Sequence, residues 1–581
     1  MQHCPAWQPD RHCIVIYNFS DIPTMGTSSE LLSSIEKLST DGGELKEYEC
    51  LAALLSNLRS AELKELIPKF DIMKLFMSMD LHQENVMEVA LRLAAALFSV
   101  VPLVELLERH QPEVLQALHS NRASLVCFVL NRVSCLTSPL IAFNKLVDGL
   151  HETNETADCI PEPILRNILS LVAHEELCIS QAAIKFLTSL SLEMSGGLER
   201  FLASLSSEPL NNVYPKAEQI LRISEMIVEL VSKEPFKFNL IEKSKLLQPV
   251  LDGLLDDDPL TNLNFLQLAK TLAVIPPAYN WLDDTGVLNN LLSRLLAMDS
   301  NSYRFLLLPG YLTFFATLAR RNPSHWLGSD QHLISVLNSS VTDPDPIISM
   351  SAIECIGHIS GTVGGTIALR DYLIPSGPLY CTLNKIGRLL HNSTNDVIVR
   401  ALDCLSELVR QPNLVPDLKQ ALDQAHIKFD WIVRIGQTTA VDRDTEMSAL
   451  SRTRSAAAVL KRLTSQAANP YPDIRLASLK AIHAISTQPW GVKLLLDQAG
   501  CMEYLLNRGT ETGLIDVAQM MQAKYNIVEG ILRTSETYRG CDDPDLSVLL
   551  RPEQVSCLRV YVREGIWGKQ ASQSTVAMEP G

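Results

Sequence analysis

The stretch Ile474-Arg-Leu-Ala-Ser-Leu-Lys-Ala-Ile-His-Ala-Ile485 decides the fold. Ile474, Ser478, Leu479, Ile482 and Ile485 fall at offsets 0, 4, 5, 8 and 11, which is one face of a helix with 3.6 residues per turn. The same template fits Val397, Ala401, Leu402, Leu405 and Leu408, and again Ile348, Ala352, Ile353, Ile356 and Ile359. It also fits Ile179, Ala183, Ile184, Leu187 and Leu190, and Val86, Ala90, Leu91, Ala94 and Leu97. The second position is always Ala or Ser, small enough for a neighbouring helix to come close. The small residues lie 93, 169, 49 and 77 apart. Read as two, four, one and two steps, these intervals match a degenerate helical repeat of roughly 40–47 residues. The pattern predicts an all-α solenoid of armadillo/HEAT-like repeats, wound as one continuous right-handed superhelix.

Working outward, apolar helical runs end in polar turns. Ile164–Leu171 precedes His174-Glu175-Glu176, Leu246–Leu255 precedes Asp256 to Pro259, and Val287–Leu296 precedes Asp299 to Asn301. Leu383–Leu390 and Val459–Leu463 end in the same way. Asx and Pro residues there stop one helix and cap the next. No run of period-two alternation is long enough to predict a sheet. Gly436 to Arg454, rich in Thr, Ser and Asp, reads as a long loop or an irregular helix. The expected organisation is a disordered extension over residues 1–24, a repeat array over 25–568 and a disordered tail over 569–581.

Hydrophobic residues make up 46% of the 581 and charged ones 20%, enough apolar surface for a soluble, folded chain. Fifty Lys and Arg against 66 Asp and Glu leave a formal charge of −16. That sign disfavours nucleic acid and anionic membranes, which need a basic footprint, and suits a partner with a basic face. Thirteen scattered cysteines without a CxxC are not a disulfide framework. Cys127, Cys355 and Cys404 sit inside apolar helical patterns as small hydrophobes, which fits a reducing cytosol, with the nucleus as a second compartment. No signal peptide and no membrane span is expected.

A search for chemistry returns bland readings. His3, Cys4, His12 and Cys13 match no zinc spacing, and His174 to Cys178 lacks the second His of a zincin helix. Gly361 to Thr366 is Gly-rich but follows a helix and lacks the phosphate-loop Lys, so it reads as a helix C-cap and turn. Tyr311, Phe314 and Phe315 form a core stripe, and Trp490 a staple between repeats. No metal, cofactor or catalytic centre is expected.

One column stands apart. Two residues past each small residue lie Arg92, Lys185, Glu354, Asp403 and Lys480, off the core face. In stacked repeats such a column lines the concave wall. Glu354, Asp403, Lys480, His483 and Lys493 are the candidate partner-binding residues, against the plainer reading of a solvated face. Other readings are a generic adaptor, such as an import carrier with repeated Trp-x-x-x-Asn pairs, which no repeat carries, and an enzyme with a dispersed site.

Three segments carry a resemblance. They are LPGYLTFFATLA over Leu308–Ala319, the stretch from Pro470-Tyr471-Pro472 through Gln488-Pro489-Trp490 to Glu503-Tyr504, and Leu558-Arg559 with Tyr561 and Glu564-Gly565. In order and spacing they resemble the proteasome non-ATPase regulatory subunit 5 family, over most of residues 25–568. Residues 1–24 have no counterpart there, and Asp542–Arg551 is longer than the family pattern. The resemblance implies an assembly chaperone of the 26S proteasome base, absent from the finished particle. It implies binding to the C-terminal small domain of ATPase regulatory subunit 7, in a precursor with ATPase regulatory subunit 4 and non-ATPase subunit 2. The free chain is expected to be monomeric.

Overall fold

The computed structural model describes residues 91, 95, 104, 107, 109–137, 159–205, 216–328, 332–391, 393–411, 418–437, 448–511, 516–539 and 548–568. The expectations for residues 1–24, for the His3 to Cys13 cluster and for 569–581 lie outside these. So does most of the Val86–Leu97 helix, of which Leu91 and Ala95 are helical. Contacts group the chain into two compact units, Met1–Pro249 and Val250–Gly581. Both are helical, and among the described residues there is no β-strand.

In the first unit Leu177–Glu193 is the central helix, packed on Ala123–Val133, Glu162–Leu171 and Gly197–Leu205. Ile179, Ala183, Leu187 and Leu190 of the template are buried, and Ile184 is half-buried. Ser180 Oγ donates to Val172 O at 2.8 Å, eight residues back, and ties this helix to the end of the one before it.

In the second unit six helices form a row, each packed on the next. They are α1 (Pro259–Ala273), α2 (Arg304–Arg321), α3 (Pro346–Ser360), α4 (Asn395–Val409), α5 (Pro472–Ser486) and α6 (Val517–Thr537). The small template residues Ala352, Ala401 and Ser478 have no solvent exposure. Pro opens α1, α3 and α5, where its missing N–H costs nothing. Asp258 and Asp345 cap α1 and α3 through Thr261 N (2.7 Å) and Ile347 N (2.8 Å).

A second layer holds the helix that precedes each row helix, including His332–Val341, Tyr380–Leu389 and Ala449–Ala467. Two devices join the layers. Asn262 Nδ2 donates to Leu254 O at 2.7 Å and Ser349 Oγ to Val341 O at 2.9 Å, the same eight-residue reach as Ser180. Cations of one outer helix cap the carbonyl end of the previous one. Arg294 Nη2 reaches Leu255 O at 2.6 Å and Lys385 Nζ reaches Val341 O at 2.8 Å.

The row starts are 45, 42, 49, 77 and 45 residues apart. The 77-residue interval is therefore one step and not two, because α4 packs directly on α5. The surplus is an extra helix, Leu418–Gly436, in the outer layer between Tyr380–Leu389 and Ala449–Ala467. Gly436 permits that fit, since a Cβ there would lie 2.1 Å from Ser455 O. The segment from Gly436 to Arg454 is thus flanked by regular helix on both sides. Gly436 ends one helix, Arg454 lies inside the next, and 438–447 fall outside the described residues. Trp490 staples this helix as read: its Nε1 donates to Ala425 O at 3.0 Å, and its ring meets Phe429. Tyr311, Phe314 and Phe315 are core. Gly361 is the C-cap of α3, and Thr362 then caps Val363–Arg370 through Gly365 N at 3.1 Å.

Candidate partner groove

Two adjoining clefts run across the row. The first, about 240 Å³, lies between α1 and α2 and is walled by Leu263, Leu266, Pro309, Gly310 and Phe314. Pro309 has no N–H to give to the carbonyl four residues back, which interrupts the ladder inside α2. Gly310 adds the notch: a Cβ there would lie 2.5 Å from Leu263 Cδ2. Lys270 and Thr313 belong to this cleft and also to the second, of about 290 Å³. The second takes its walls from α1, α2, α3 and α4, among them Glu354, His358, Asp403 and Glu407. Packed helices stand about 8–10 Å apart, so four in a flat row would span about 24–30 Å. One small cleft lined from all four, from α1 by the long Lys270 side chain alone, fits a row that is concave on this side.

The carboxylates differ in their partners. Glu354 accepts both arms of the Arg400 fork, at 2.6 and 2.8 Å, a bidentate pair. Glu407 accepts from Arg410 at 2.7 Å and faces Arg320 at 3.7 Å. Arg320 also donates to His358 O at 2.7 Å, at the carbonyl end of α3. Burial, with Arg320 and Lys270 beside it, holds the His358 imidazole down to about 4, so it is neutral near pH 7.

Asp403 has no such partner. Among the described residues no Lys, Arg or His nitrogen lies within 4.0 Å of its carboxylate. Burial pushes its pKa up, and Glu354 and Glu407 push it further, while the Lys480 charge pulls it down. Removing the thiols from water raises Cys355 to about 12, and Cys404 higher still, so neither is a nucleophile at neutral pH.

The structure thus places Glu354 and Asp403 in one cleft, with Lys480 on the next row helix, α5. His483 is half-buried on α5, its imidazole held down by burial and by the Arg533 and Arg410 charges. Lys493 lies on Pro489–Asp497, off the row. Lys185 is exposed on the first unit, and Arg92 is outside the described residues. Sequence reasoning missed Arg400, the Glu354 partner, and Glu407. Both stand three or four residues from Asp403 on α4, the spacing of neighbours on one helix face. It also missed the notch, although Pro-Gly inside an apolar helical pattern is a readable signal. Among the described residues no group of His, Cys, Asp and Glu is arranged to hold a metal. No single described helix is long and apolar enough to cross a membrane.

Row helices packed one on the next, each with a preceding outer-layer helix, define a helical-repeat protein. The model of the family described as proteasome non-ATPase 26S subunit matches residues 27–423 and 447–581, and the chain belongs to that family. It is 23% identical over 542 residues to the 26S proteasome non-ATPase regulatory subunit 5 of Bos taurus, covering 93% of this chain and 97% of the relative. To the protein of that name from Homo sapiens it is 26% identical over 420 residues, 71% of this chain and 75% of the relative. A chain of the solved Kap95p–RanGDP complex aligns over 92% of this chain and 68% of its own length, with 11% identity and a TM-score of 0.48.

Proposed function

We propose that the chain is a non-catalytic chaperone for assembly of the 26S proteasome base. In this reading it binds the C-terminal small domain of ATPase regulatory subunit 7. It holds that subunit in a precursor with ATPase regulatory subunit 4 and non-ATPase subunit 2, and leaves before the mature particle forms, in the cytosol and with the nucleus as a second compartment. The observation that carries it is the family match over residues 27–423 and 447–581. The groove supports it in kind, since a concave wall holding an unpaired carboxylate suits a basic surface on a folded partner. A charge of −16 would speed encounter with such a surface and make the on-rate salt-sensitive.

The test is calorimetric titration of the full chain with the isolated ATPase C-terminal domain, beside isolation of the tagged chain from cells. Binding, with free ATPase subunits recovered and mature particles absent, is expected. The double change Glu354→Lys with Asp403→Lys should weaken binding about tenfold or more, with little shift in melting temperature. Co-purification with mature 26S particles in place of precursors would refute the chaperone reading.

A further inference from the structure

We infer that the groove is polarised. The Pro309–Gly310 notch takes an apolar side chain of the partner, and Asp403 takes a basic one further along the same partner helix. This assignment rests on the proposed ATPase reading for the identity of the partner, and on the groove alone for its chemistry.

The two ends differ in kind. At the notch Leu263, Leu266, Pro309 and Phe314 make most of the wall, with Gln267, Lys270 and Thr313 beside them. At the other end Glu354 and Glu407 are held by Arg400, Arg410 and Arg320, and Asp403 between them is left unpaired. A carboxylate flanked by two others gains most from an incoming cation. An apolar notch gains from an aliphatic or aromatic group and rejects a charged one. Lys270 and Thr313 are shared by both clefts, so one ligand can run through them without a break.

The spacing sets the ligand. From α2 to α4 is two helix separations, roughly 16–20 Å between axes and less along the inner face of a curved row. A helix rises 1.5 Å per residue, so the lower end of that span is about 11 residues. Eleven residues are close to three turns and return a side chain to the same face. The occupant is therefore a partner helix laid along the groove, with an apolar anchor and an Arg or Lys about three turns away.

The experiment uses the full chain with two probes. One is the isolated C-terminal domain of the ATPase. The other is a synthetic helical peptide of about 20 residues with one Leu and, eleven residues on, one Arg in an Ala/Gln background. Gly310→Leu should fill the notch and weaken both probes about tenfold, with the salt dependence of affinity unchanged. Should that variant melt early, Leu263→Asn at the half-exposed wall serves the same purpose. Asp403→Asn should weaken both probes to a similar degree and flatten the salt dependence. Peptides with Arg→Glu or Leu→Gln should bind correspondingly worse. If the ATPase domain binds every variant as it binds the wild type, the polarised groove is wrong and the chaperone reading stands. If the domain does not bind but the peptide follows the expected pattern, the partner identity falls and the groove assignment stands. If neither probe binds, or the peptide binds regardless of its Arg and Leu, the inference is overturned.

Discussion

The Lys428 ammonium donates to the main-chain carbonyl of Leu408 at 2.8 Å from a position with no solvent exposure. It also reaches Ser360 O at 3.4 Å. The extra helix Leu418–Gly436 thereby caps the carbonyl ends of both α3 and α4, where the helix dipoles favour a cation. Burial wins over this attraction and over the pull of Glu407, and brings the Lys428 pKa down to about 7.

A pH dependence follows. In the unfolded chain Lys428 keeps its proton up to its ordinary value near 10.5, while the folded chain loses it above about 7. The unfolded state binds more protons in that window, so stability rises with pH there, by up to about 1.4 kcal/mol per unit. Below about 7 both states hold the proton and the cost of the buried charge is fully present. Denaturant unfolding at pH 7.0, 7.8 and 8.5 should show the rise in the wild type and a flatter profile in Lys428→Met. The range stops short of the raised thiols Cys355 and Cys404, whose unfolded forms ionise near 9 and reverse the sign.

Ala401 lies on α4 with no exposure. Ala401→Glu would bury a carboxylate without a partner and should cost on the order of 3–5 kcal/mol. Chemical denaturation would register it as a fall in midpoint at constant m-value. A midpoint unchanged from wild type would mean that the row is not close-packed at this point.

Asp403 and Glu354 should separate stability from binding. The Asp403 pKa is raised in the folded chain, so at neutral pH its carboxylate opposes folding, and Asp403→Asn should raise the melting temperature slightly. Glu354→Gln loses the Arg400 fork. Both groups are more than a third exposed, so the loss should stay within about 1 kcal/mol. Thermal melts of the two variants should move in opposite directions.

Glu511 anchors the far end of the row. It has no exposure, pairs with Arg475 of α5 and with Lys524 of α6 at 3.5 Å, and accepts from Tyr504 at 3.1 Å. Burial alone would raise its pKa, but Thr510, Arg475 and Lys524 together bring it below the ordinary carboxylate value. Its contribution is therefore present above about pH 4.5 and is lost as the pH falls through the lower folded value. Glu511→Gln would strand Lys524 and should cost about 3–5 kcal/mol at pH 7, with the gap to wild type closing in acid. A denaturation series from pH 7 to 3 measures both.

The repeat helices were legible because burial of one face leaves a 3.6-residue period in the sequence, as Ile348 to Ile359 shows. The count of steps between Ala401 and Ser478 was not. Spacing alone cannot tell two repeats from one repeat with an inserted helix; that is decided by which faces meet. The charge column was visible at Glu354, Asp403 and Lys480, but the pairing within it was not. The Arg400 fork closes across two helices 46 residues apart in sequence. The notch was half legible: Pro309-Gly310 marks a break in the helix, but that the break opens a cleft depends on Leu263 lying opposite.

The inserted helix Leu418–Gly436 makes one side of the stack longer than the other. Between Tyr380–Leu389 and Ala449–Ala467 the outer layer carries one more cylinder, about 10 Å wide, while α4 and α5 remain adjacent beneath it. A masonry arch turns most sharply where a wedge-shaped stone is set into its outer course, and the local angle there is set by the width of the stone. Bending at this joint is accordingly a matter of material added on one side. It should respond to shortening that one helix far more than to changes in the helices that form the inner course.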